Sequence, residues 1–431
     1  MTILFGDDVQ IDGAVAARGA LMGPSPASQR ELRTHLATHG AVPALGAHAV
    51  VRLAADSGLA GHGGAGFPLH RKLEAVIAAR GRAIVVANGA EGEPASAKDR
   101  WLLSRRPHLV LDGLQLVARA TNATDAYLYL NHRLPVETFS QVLDERRRAG
   151  LDPVSVTVVA APDAFISGEE TAVVSHLSGA AALPRFKSPR VTERGVRGRP
   201  TLVSNVETLA LLALIARRGA GWFRASGTAD APGTMLLTVG GAVRAPGIVE
   251  APHGTPLADV LDLAGGPSTH LQAVLLGGYH GTWLTTDEAA AAKLSRSDLA
   301  PLGASPGAGV MVALARGTCA LVEMSRVMSY LAQESAGQCG PCLNGLPRIA
   351  SQLKSIAFQG STAFQGDRRA VDELLRLGDL VVGRGACHHP DGSMRFLRSG
   401  LRVFATEVEL HLAGHCSRTS DDVALPLAVT R

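Results

Sequence analysis

A glycine-rich loop followed by a lysine constrains this chain more than any other stretch. Four glycines fall within six residues of GHGGAGFP, residues 61–68. Without Cβ atoms, such a backbone can approach a ligand closely and point amide N–H groups at an anion. Pro68 fixes φ where a helix can begin, and Lys72 follows about one turn later. The pattern predicts a phosphate cradle, although a tight glycine turn beside a solvated lysine fits the same residues equally well.

The order of elements around this loop argues against an ordinary dinucleotide-binding fold. Gly61, Gly63 and Gly66 match G-x-G-x-x-G, but that fingerprint requires a strand directly before it. A helix-like segment, AHAVVRLAADSG, precedes the loop instead, and the first convincing strand, residues 83–86, follows it. Helical and strand patterns then alternate up to residue 160, which predicts a parallel sheet.

Two polar stretches near these predicted strands are candidates for ligand contacts. The stretch NGAEGEP, residues 88–94, directly follows the strand at 83–86, and SGEET, residues 167–171, precedes a helix. Loops at the carboxyl ends of parallel strands commonly contact ligands. Adjacent carboxylates at a helix start are also explained by capping, so Glu169 and Glu170 keep a structural alternative. Further on, Ser204 or Asn205 is placed to cap the helix ETLALLALIARRG.

The last part of the chain has a different composition. Residues 234–285 show strands, one helix and further strands, which is the order of a small β-grasp module. A linker rich in alanine, serine and glycine, residues 289–309, then precedes a strand and a helical C-terminal segment. That segment holds all five cysteines: Cys319, Cys339, Cys342, Cys387 and Cys416. Their clustering predicts a local metal site in a reducing compartment, with Cys319 as a small buried hydrophobic residue.

Composition and charge exclude several other classes. The net charge is +4 and 4% of residues are aromatic, without the basic face of a nucleic-acid-binding protein. No stretch approaches the roughly eighteen apolar residues that a membrane span needs. The N-terminal sequence MTILFGDDVQIDG lacks the basic region of a signal peptide. We therefore expect a cytoplasmic protein that reaches a membrane only through partner subunits.

Five motifs follow one another along the chain: GHGGAGFP, NGAEGEPASAKDR, SGEETA, PRFKSP with RGRPTLVSNVETLA, and ESAGQCGPC. In this order they resemble the FMN- and NADH-binding flavoprotein (F subunit) of complex I, or NADH-quinone oxidoreductase, and the related diaphorase subunits of hydrogenases and formate dehydrogenases. NGAEGEP is also similar to the C subunit of Rnf-type oxidoreductases. The resemblance implies an α/β fold with a Rossmann-like FMN-binding domain at 1–226, a β-grasp (SLBB-type) domain at 233–288 and a helical iron–sulfur domain at 310–431.

The resemblance also implies roles for residues that match these motifs. FMN contacts are implied for Gly61, Gly63, Gly64, Lys72, Asn88, Glu91, Ser204 and Asn205. Contacts to the nicotinamide nucleotide are implied for Phe67, Glu93, Glu169, Glu170 and Lys187. Cys339, Cys342 and Cys387 match three of the four thiolates of a [4Fe–4S] cluster. Ala336 stands where the first cysteine is expected, so the fourth ligand stays open, with the pair His388 and His389 either supplying it or simply exposed.

The implied activity is that of an NAD(P)H dehydrogenase-type flavoprotein subunit. It would pass electrons from NAD(H) or NADP(H) through FMN to the cluster and on to other electron-transfer subunits or a ferredoxin-like protein. No acid–base catalyst is expected, because the cofactors carry the chemistry. Arg190 and Ala90 replace an aromatic and an acidic residue of the family pattern, and Phe165 replaces a tyrosine. These departures keep open an FMN and iron–sulfur module without nicotinamide binding, and Ala336 keeps open a structural subunit without a cluster.

Overall fold

The structure is a computed structural model that describes residues 20–22, 30–130, 133–358, 368–419 and 423–427. The N-terminal stretch MTILFGDDVQIDG, with its lack of a basic region, lies outside the described residues. Across the described part of the chain, no helix combines the length and the apolar character that crossing a membrane requires.

The described residues form two sheets. The first contains β1 Ile84–Gly89, β2 Asp125–Leu130, β3 Val156–Ala160 and β4 Thr201–Asn205. The second contains β5 Thr234–Gly241, β6 Gly247–Pro252, β7 Leu271–Leu276, β8 Thr282–Thr285 and β9 Val310–Ala315.

Three groups of helices accompany these sheets. The first group is α1 Leu32–His39, α2 Ala47–Ser57, α3 Leu69–Ala78, α4 Lys98–Arg105, α5 Pro107–Ala120, α6 Glu137–Arg148, α7 Glu170–Leu177, α8 Val206–Arg218 and α9 Ala220–Arg224. The second group is α10 Leu257–Leu263, α11 Thr286–Ala291 and α12 Arg296–Leu299. The third is α13 Ala320–Gln333, α14 Leu346–Phe358, α15 Arg369–Val381, α16 His389–Val403 and α17 Ala405–Leu412.

The first sheet is parallel throughout, in the order β3-β2-β1-β4. From β1 the chain proceeds to β2 and β3 on one side and then crosses to β4 on the other. Such a reversal opens a crevice at the carboxyl ends of the two strands between which it occurs, here β1 and β4. The predicted parallel sheet is confirmed, as are the helix before the glycine-rich loop and the strand after it. Strand β4 was not predicted, because its five residues run directly into the cap of α8.

A buried carboxylate, Asp112 on α5, ties together four helices around the first sheet. Its oxygens lie 2.9 Å from His35 Nε2 and 2.9 Å from an Arg146 nitrogen, and it also contacts Arg217. Burial acts to raise the pKa of Asp112, but the hydrogen bond with His35 and the charges of Arg146 and Arg217 hold the pKa well below its usual range. Asp112 is therefore an ionised anchor for α1, α6 and α8.

Replacing this anchor, Asp112→Asn, is expected to lower the free energy of unfolding by about 3–5 kcal/mol at neutral pH, because the buried Arg217 loses its counter-charge and Arg146 keeps only that of Asp152. The carboxylate stabilises the fold above its unfolded-state pKa of 3.8, and the contribution is lost as pH falls from there toward the depressed folded-state pKa. In urea unfolding, the gap between wild type and variant should narrow below about pH 4. Asp379→Asn, in an exposed pair with Arg398, is the control. A gap that stays constant with pH contradicts the assignment.

The second sheet has the order β6-β5-β9-β7-β8. Its central strand, β9, comes last in the sequence and pairs parallel with β5 and antiparallel with β7. Helices α11 and α12 occupy the stretch 289–309 and the residues just before it, where the sequence predicted a linker. A domain end at 288 would separate β9 from its sheet, so we propose that the β-grasp domain extends to Ala315.

One aromatic side chain joins all three parts of the molecule. Phe165, which follows β3, packs edge-on against His280 beside β8, with ring centroids 4.8 Å apart. The same ring lies 6.0 Å from Tyr330 on α13 and 5.6 Å from His389 at the start of α16. These partners come from different packing units, so the sheet domain, the β-grasp domain and the C-terminal helices meet at Phe165.

Candidate functional site

The glycine-rich loop connects α2 to α3 and faces the carboxyl end of β4. Its ends are fixed, since Gly61 N–H donates to Phe67 O at 2.9 Å and His62 N–H donates to Thr208 Oγ1 at 2.9 Å. A Cβ built on Gly63 would meet only Asn205 Cβ, at 3.4 Å. The middle of the loop therefore lies against the carboxyl end of β4, at the crevice where a phosphate cradle would be placed.

Glycine is required at one further position of this loop. Gly66 has φ +63°, and a Cβ there would lie 2.3 Å from Arg296 Nε. The Arg296 guanidinium donates to Gly64 O at 2.6 Å, so the second domain supports the loop from outside. Pro68 directly precedes α3, as predicted, so the helix begins immediately after the loop.

Two asparagines stand side by side at the carboxyl edge of the first sheet. Asn88 near the end of β1 pairs in register with Asn205 at the end of β4. Asn205 caps α8 by accepting the N–H of Glu207 at 2.9 Å, and Asn88 donates to Gly168 O at 2.9 Å. The preceding residue, Ser204, is buried. Four predicted FMN residues (Gly63, Asn88, Ser204 and Asn205) thus lie along one edge, at the reversal of strand order.

Lys72 connects the predicted FMN residues with the predicted nucleotide residues. Its ammonium donates to Val203 O on β4 at 2.8 Å and to Glu170 Oε1 at the start of α7, also at 2.8 Å. The lysine side chain is 23% exposed, so its charge is held at the crevice and still reachable from it. A phosphate in the crevice would share this ammonium with Glu170.

The two glutamates after β1 have different partners. Glu91 accepts hydrogen bonds from Ser96 Oγ and, at 3.3 Å, from Asp99 N–H. Glu93 accepts Tyr279 N–H from the second domain at 2.7 Å. Burial raises the pKa of Glu93 to about 7, and the charge of Glu91 adds to the shift. Near neutral pH Glu93 is therefore present in both protonation forms. The protonated carboxyl can donate a hydrogen bond to a ribose hydroxyl, and the carboxylate can accept one.

The remaining predicted nucleotide residues lie around α7 and at the end of the glycine-rich loop. Glu169 caps α7, accepting Thr171 N–H at 2.8 Å, so the structural explanation of this carboxylate is correct. Its other oxygen lies 4.0 Å from Lys187 Nζ, and Lys187 is half-exposed. Phe67 is exposed at the end of the loop. Among the described residues, Glu169 and Lys187 are brought together, and no hydrogen bond or ring contact joins Phe67 to either.

The three predicted cluster cysteines come from two segments. Cys339 and Cys342 flank the start of one π-helical turn, Pro341–Gly345, and Cys387 precedes α16. Burial, together with the neighbouring thiols of Cys339 and Cys387, raises the pKa of Cys342 to about 12. The pKa of Cys387 is raised by burial, and the charges of Glu169 and Lys187 also act on it. The thiols converge beside the nucleotide residues.

The two candidate histidines differ. His389 is buried, and its ring nitrogens contact Leu331 O at 2.8 Å and His280 Nε2 at 3.1 Å. The expectation that both histidines are exposed is wrong for His389, and its nitrogens are already engaged. His388 is exposed and pairs with Asp391 at 3.1 Å. The residues present fit an iron–sulfur cluster with three protein thiolates, and Ala336 supplies no fourth.

A buried charge network below the site was not predicted from the sequence. Lys98 Nζ lies 2.6 Å from Asp99 Oδ1 and 2.9 Å from Glu207 Oε2. Asn205 Nδ2 donates to Asp99 Oδ2 at 2.6 Å, which fixes the amide of a predicted FMN residue. The retention of Lys98 in a chain that has only five lysines was the one available indication.

A parallel sheet with a glycine-rich loop and a polar carboxyl edge, a β-grasp sheet and three convergent cysteines define a flavin- and iron–sulfur-containing oxidoreductase subunit. Family models match in the same order: the Nuo51 FMN-binding domain at residues 54–213, an SLBB domain at 236–275 and the NADH-ubiquinone oxidoreductase-F iron-sulfur binding region at 323–411.

Individual relatives agree with these matches. The second F subunit (F 2) of NADH-quinone oxidoreductase from Rhizobium meliloti (strain 1021) is 32% identical over 84% of this chain and 88% of its own length. The F subunit of NADH-quinone oxidoreductase from Streptomyces coelicolor is 32% identical over 83% of this chain and 82% of its own. The chain therefore belongs to the family of NADH-quinone oxidoreductase F subunits. The expected cofactors, FMN and an iron–sulfur cluster, are confirmed at the level of the domains.

A solved structure is similar across the same residues. The chain superimposes on the NAD+-reducing [NiFe]-hydrogenase in its air-oxidized state with a TM-score of 0.78 and 32% identity. The match covers 85% of this chain and 63% of the hydrogenase chain. The three-part order of FMN-binding domain, SLBB domain and iron–sulfur region is confirmed.

Proposed function

We propose that this chain takes electrons from NADH and passes them through FMN and an iron–sulfur cluster to another electron-transfer subunit. One observation carries the proposal: residues with three different predicted roles are contiguous in space. Lys72 of the FMN set contacts Glu170 of the nucleotide set. Phe165, four residues before Glu169, packs 5.6 Å from the ring of His389, two residues after Cys387. Electrons would therefore move between adjacent sites of one chain.

We assign the FMN pocket to the crevice between β1 and β4. Flavin, when bound, supplies the conversion between two-electron and one-electron chemistry. Gly63, Gly64 and Lys72 would hold the phosphate, because backbone amides and one ammonium favour an anion. The Gly61 N–H is already bonded to Phe67 O and would fix the shape of the loop. The asparagine pair, Ser204 and Glu91 would face the polar edge of the ring system. No side chain in this arrangement is needed as a general acid or base.

We propose NADH as the electron donor because three carboxylates surround the nucleotide position. Glu93, Glu169 and Glu170 suit ribose hydroxyls, and Glu169 and Glu170 would also repel the additional phosphate of NADPH. Arg190 is the observation that favours NADPH, since it is exposed on the same loop as Lys187. The carboxylates are the stronger argument, because they are anchored by Tyr279 N–H, by the α7 cap and by Lys72.

Anaerobic mixing of the FMN-loaded chain with NADH or NADPH tests this function. Bleaching of the flavin absorbance by NADH, at least tenfold faster than by NADPH at equal concentration, is the expected result. Dithionite serves as the control for reducibility. If dithionite bleaches the flavin and neither nucleotide does, the dehydrogenase function is excluded.

Removal of the ammonium, Lys72→Met, is expected to weaken FMN binding by about 10- to 150-fold, because a charge-assisted hydrogen bond contributes about 1.5–3 kcal/mol. Titration of apoprotein with FMN, followed by quenching of flavin fluorescence, measures the affinity. Lys354→Met, on the exposed face of α14, is the matched control and should bind FMN like wild type. Equal affinities for the two variants would remove Lys72 from the pocket.

A further inference from the structure

A second group of metal-capable side chains lies away from the iron–sulfur cysteines. Its members are Cys319, Glu407, His411 and Cys416, whose ligand atoms all lie within 4.8 Å of one another. We propose that these four residues form a tetrahedral zinc site that closes the C-terminal helical domain. The site uses none of the residues that match the cluster, and Cys319 and Cys416 lie outside the matched iron–sulfur region.

The local structure explains how the four residues meet. Cys319 caps the start of α13, where Val322 N–H donates to its sulfur at 3.4 Å. Glu407 and His411 lie four residues apart on α17 and therefore project from the same face of the helix. After α17 the chain turns back, which brings Cys416 against the same carboxylate at 3.7 Å.

The distances between these ligand atoms are close to the edges of a coordination tetrahedron, and two of them are slightly shorter. Cys319 Sγ lies 3.3 Å from His411 Nε2 and 3.6 Å from Glu407 Oε1. His411 Nε2 lies 3.0 Å from Glu407 Oε1. For zinc bonds of about 2.3 Å to sulfur and about 2.0–2.2 Å to nitrogen or oxygen, tetrahedral angles separate ligand atoms by roughly 3.4–3.8 Å. Only small side-chain adjustments are needed to bring all four ligand atoms within bonding distance of one zinc ion.

The types of donor atom determine which metal ion the site would prefer. Two thiols and one imidazole favour zinc over magnesium or calcium, which prefer ligands that are all oxygen. Four protein ligands leave no open position, so the site is structural rather than catalytic. Ser417 supports this geometry from a second layer, because its N–H donates to Glu407 Oε1 at 3.2 Å and its hydroxyl to Oε2.

The positions of Cys319 and Cys416 in the chain indicate what a zinc ion would stabilise. Cys319 and Cys416 stand at the two ends of the helical domain, and the surrounding segments are already close, since Thr419 N–H donates to Gly317 O at 3.0 Å. Cys319 packs in the same apolar cluster as Val408 and Leu412 of α17. The sequence interpretation of Cys319 as a small buried hydrophobic residue is correct for its burial and misses its polar partners. A zinc ion here would fix α17 and the returning chain to α13.

Elemental analysis of the full chain, purified anaerobically without added metal, tests the site. We expect about one zinc ion per chain, in addition to the iron of the cluster. Replacement of zinc by cobalt should give the visible bands of tetrahedral Co²⁺ and thiolate-to-cobalt charge transfer. These two measurements require no variant and therefore cannot be obscured by misfolding.

Variants then assign the ligands. His411→Gln and Cys416→Ser should each lower bound zinc at least tenfold while iron content and the flavin spectrum stay at wild-type values. His415→Gln, an exposed histidine four residues beyond His411, is the matched control and should keep its zinc. Zinc below a tenth of an ion per chain, an additional iron in place of zinc, or a disulfide between Cys319 and Cys416 in the anaerobic protein would each overturn the proposal.

Discussion

Lys98→Met should destabilise the protein by about 3–5 kcal/mol, because it leaves the carboxylate of Glu207 buried without its counter-charge. Both side chains are almost fully buried, at 3% and 0% exposure. Burial acts to raise the pKa of Glu207, but the charges of Lys98 and His62 and the hydrogen bond from Leu236 N–H together hold that pKa below its usual value. Glu207 also accepts Leu236 N–H of β5 at 2.8 Å. Removing the Lys98 charge should therefore loosen the contact between the two sheets.

Urea unfolding of the apoprotein, monitored by intrinsic fluorescence, measures this loss. Lys354→Met makes the same substitution at an exposed position and should change stability by less than about 0.5 kcal/mol. The double variant Lys98→Met with Glu207→Gln should recover part of the stability, because Glu207 then carries no charge and Asp99 alone lacks its partner Lys98. If Lys98→Met loses no more stability than Lys354→Met, the charge network of Lys98, Asp99 and Glu207 does not hold the sheets together.

Cys342→Ala should abolish the iron–sulfur cluster. With three thiolates instead of four, this chain has none to spare, and Cys342 is the most buried of them. Iron and sulfide should fall to background, and the paramagnetic resonance signal after dithionite reduction should disappear. The flavin spectrum should persist, since the FMN crevice shares no residue with the cysteines.

The reciprocal change provides the control. Ala336→Cys restores a thiol at the position where the family pattern has its first cluster cysteine, and it should lengthen the lifetime of the cluster in air. Cys342→Ala with wild-type iron content would show that the three predicted thiols do not carry the cluster. Loss of both iron and flavin would instead indicate that the variant is not folded. The same measurements would then be made on Cys339→Ala.

Local patterns in the sequence predicted much of the fold. Alternating helices and strands indicated the parallel sheet, and the absence of a strand before GHGGAGFP correctly placed the loop outside an ordinary dinucleotide fold. Glycine-rich loops, caps and strands depend on residues that are neighbours along the chain, so their patterns are visible without the structure. The asparagine pair did not follow from these patterns, because strand β4, which carries Asn205, was not predicted. The FMN roles of Asn88 and Asn205 came from the resemblance to the family.

Long-range pairings were not visible in the same way. Strand β9 joins β5 across about seventy residues, and nothing in its sequence indicates that partner. Lys98 finds Glu207 more than a hundred residues away, and Cys319 finds His411 at a similar separation. For such pairs the chain composition identifies unusual residues, and only the packed structure identifies what they contact.

The junction at Phe165 bears on how fast electrons can move. Tunnelling rates fall steeply with distance, so a carrier whose domains hinge would transfer electrons only in its closed form. Here the ring of Phe165 is wedged between His280 and His389, which are themselves joined at 3.1 Å. The separation between the flavin crevice and the cysteines is thus set by side-chain packing. Intramolecular transfer should therefore be independent of solvent viscosity, with the slow steps left to nucleotide exchange and to docking of the next carrier.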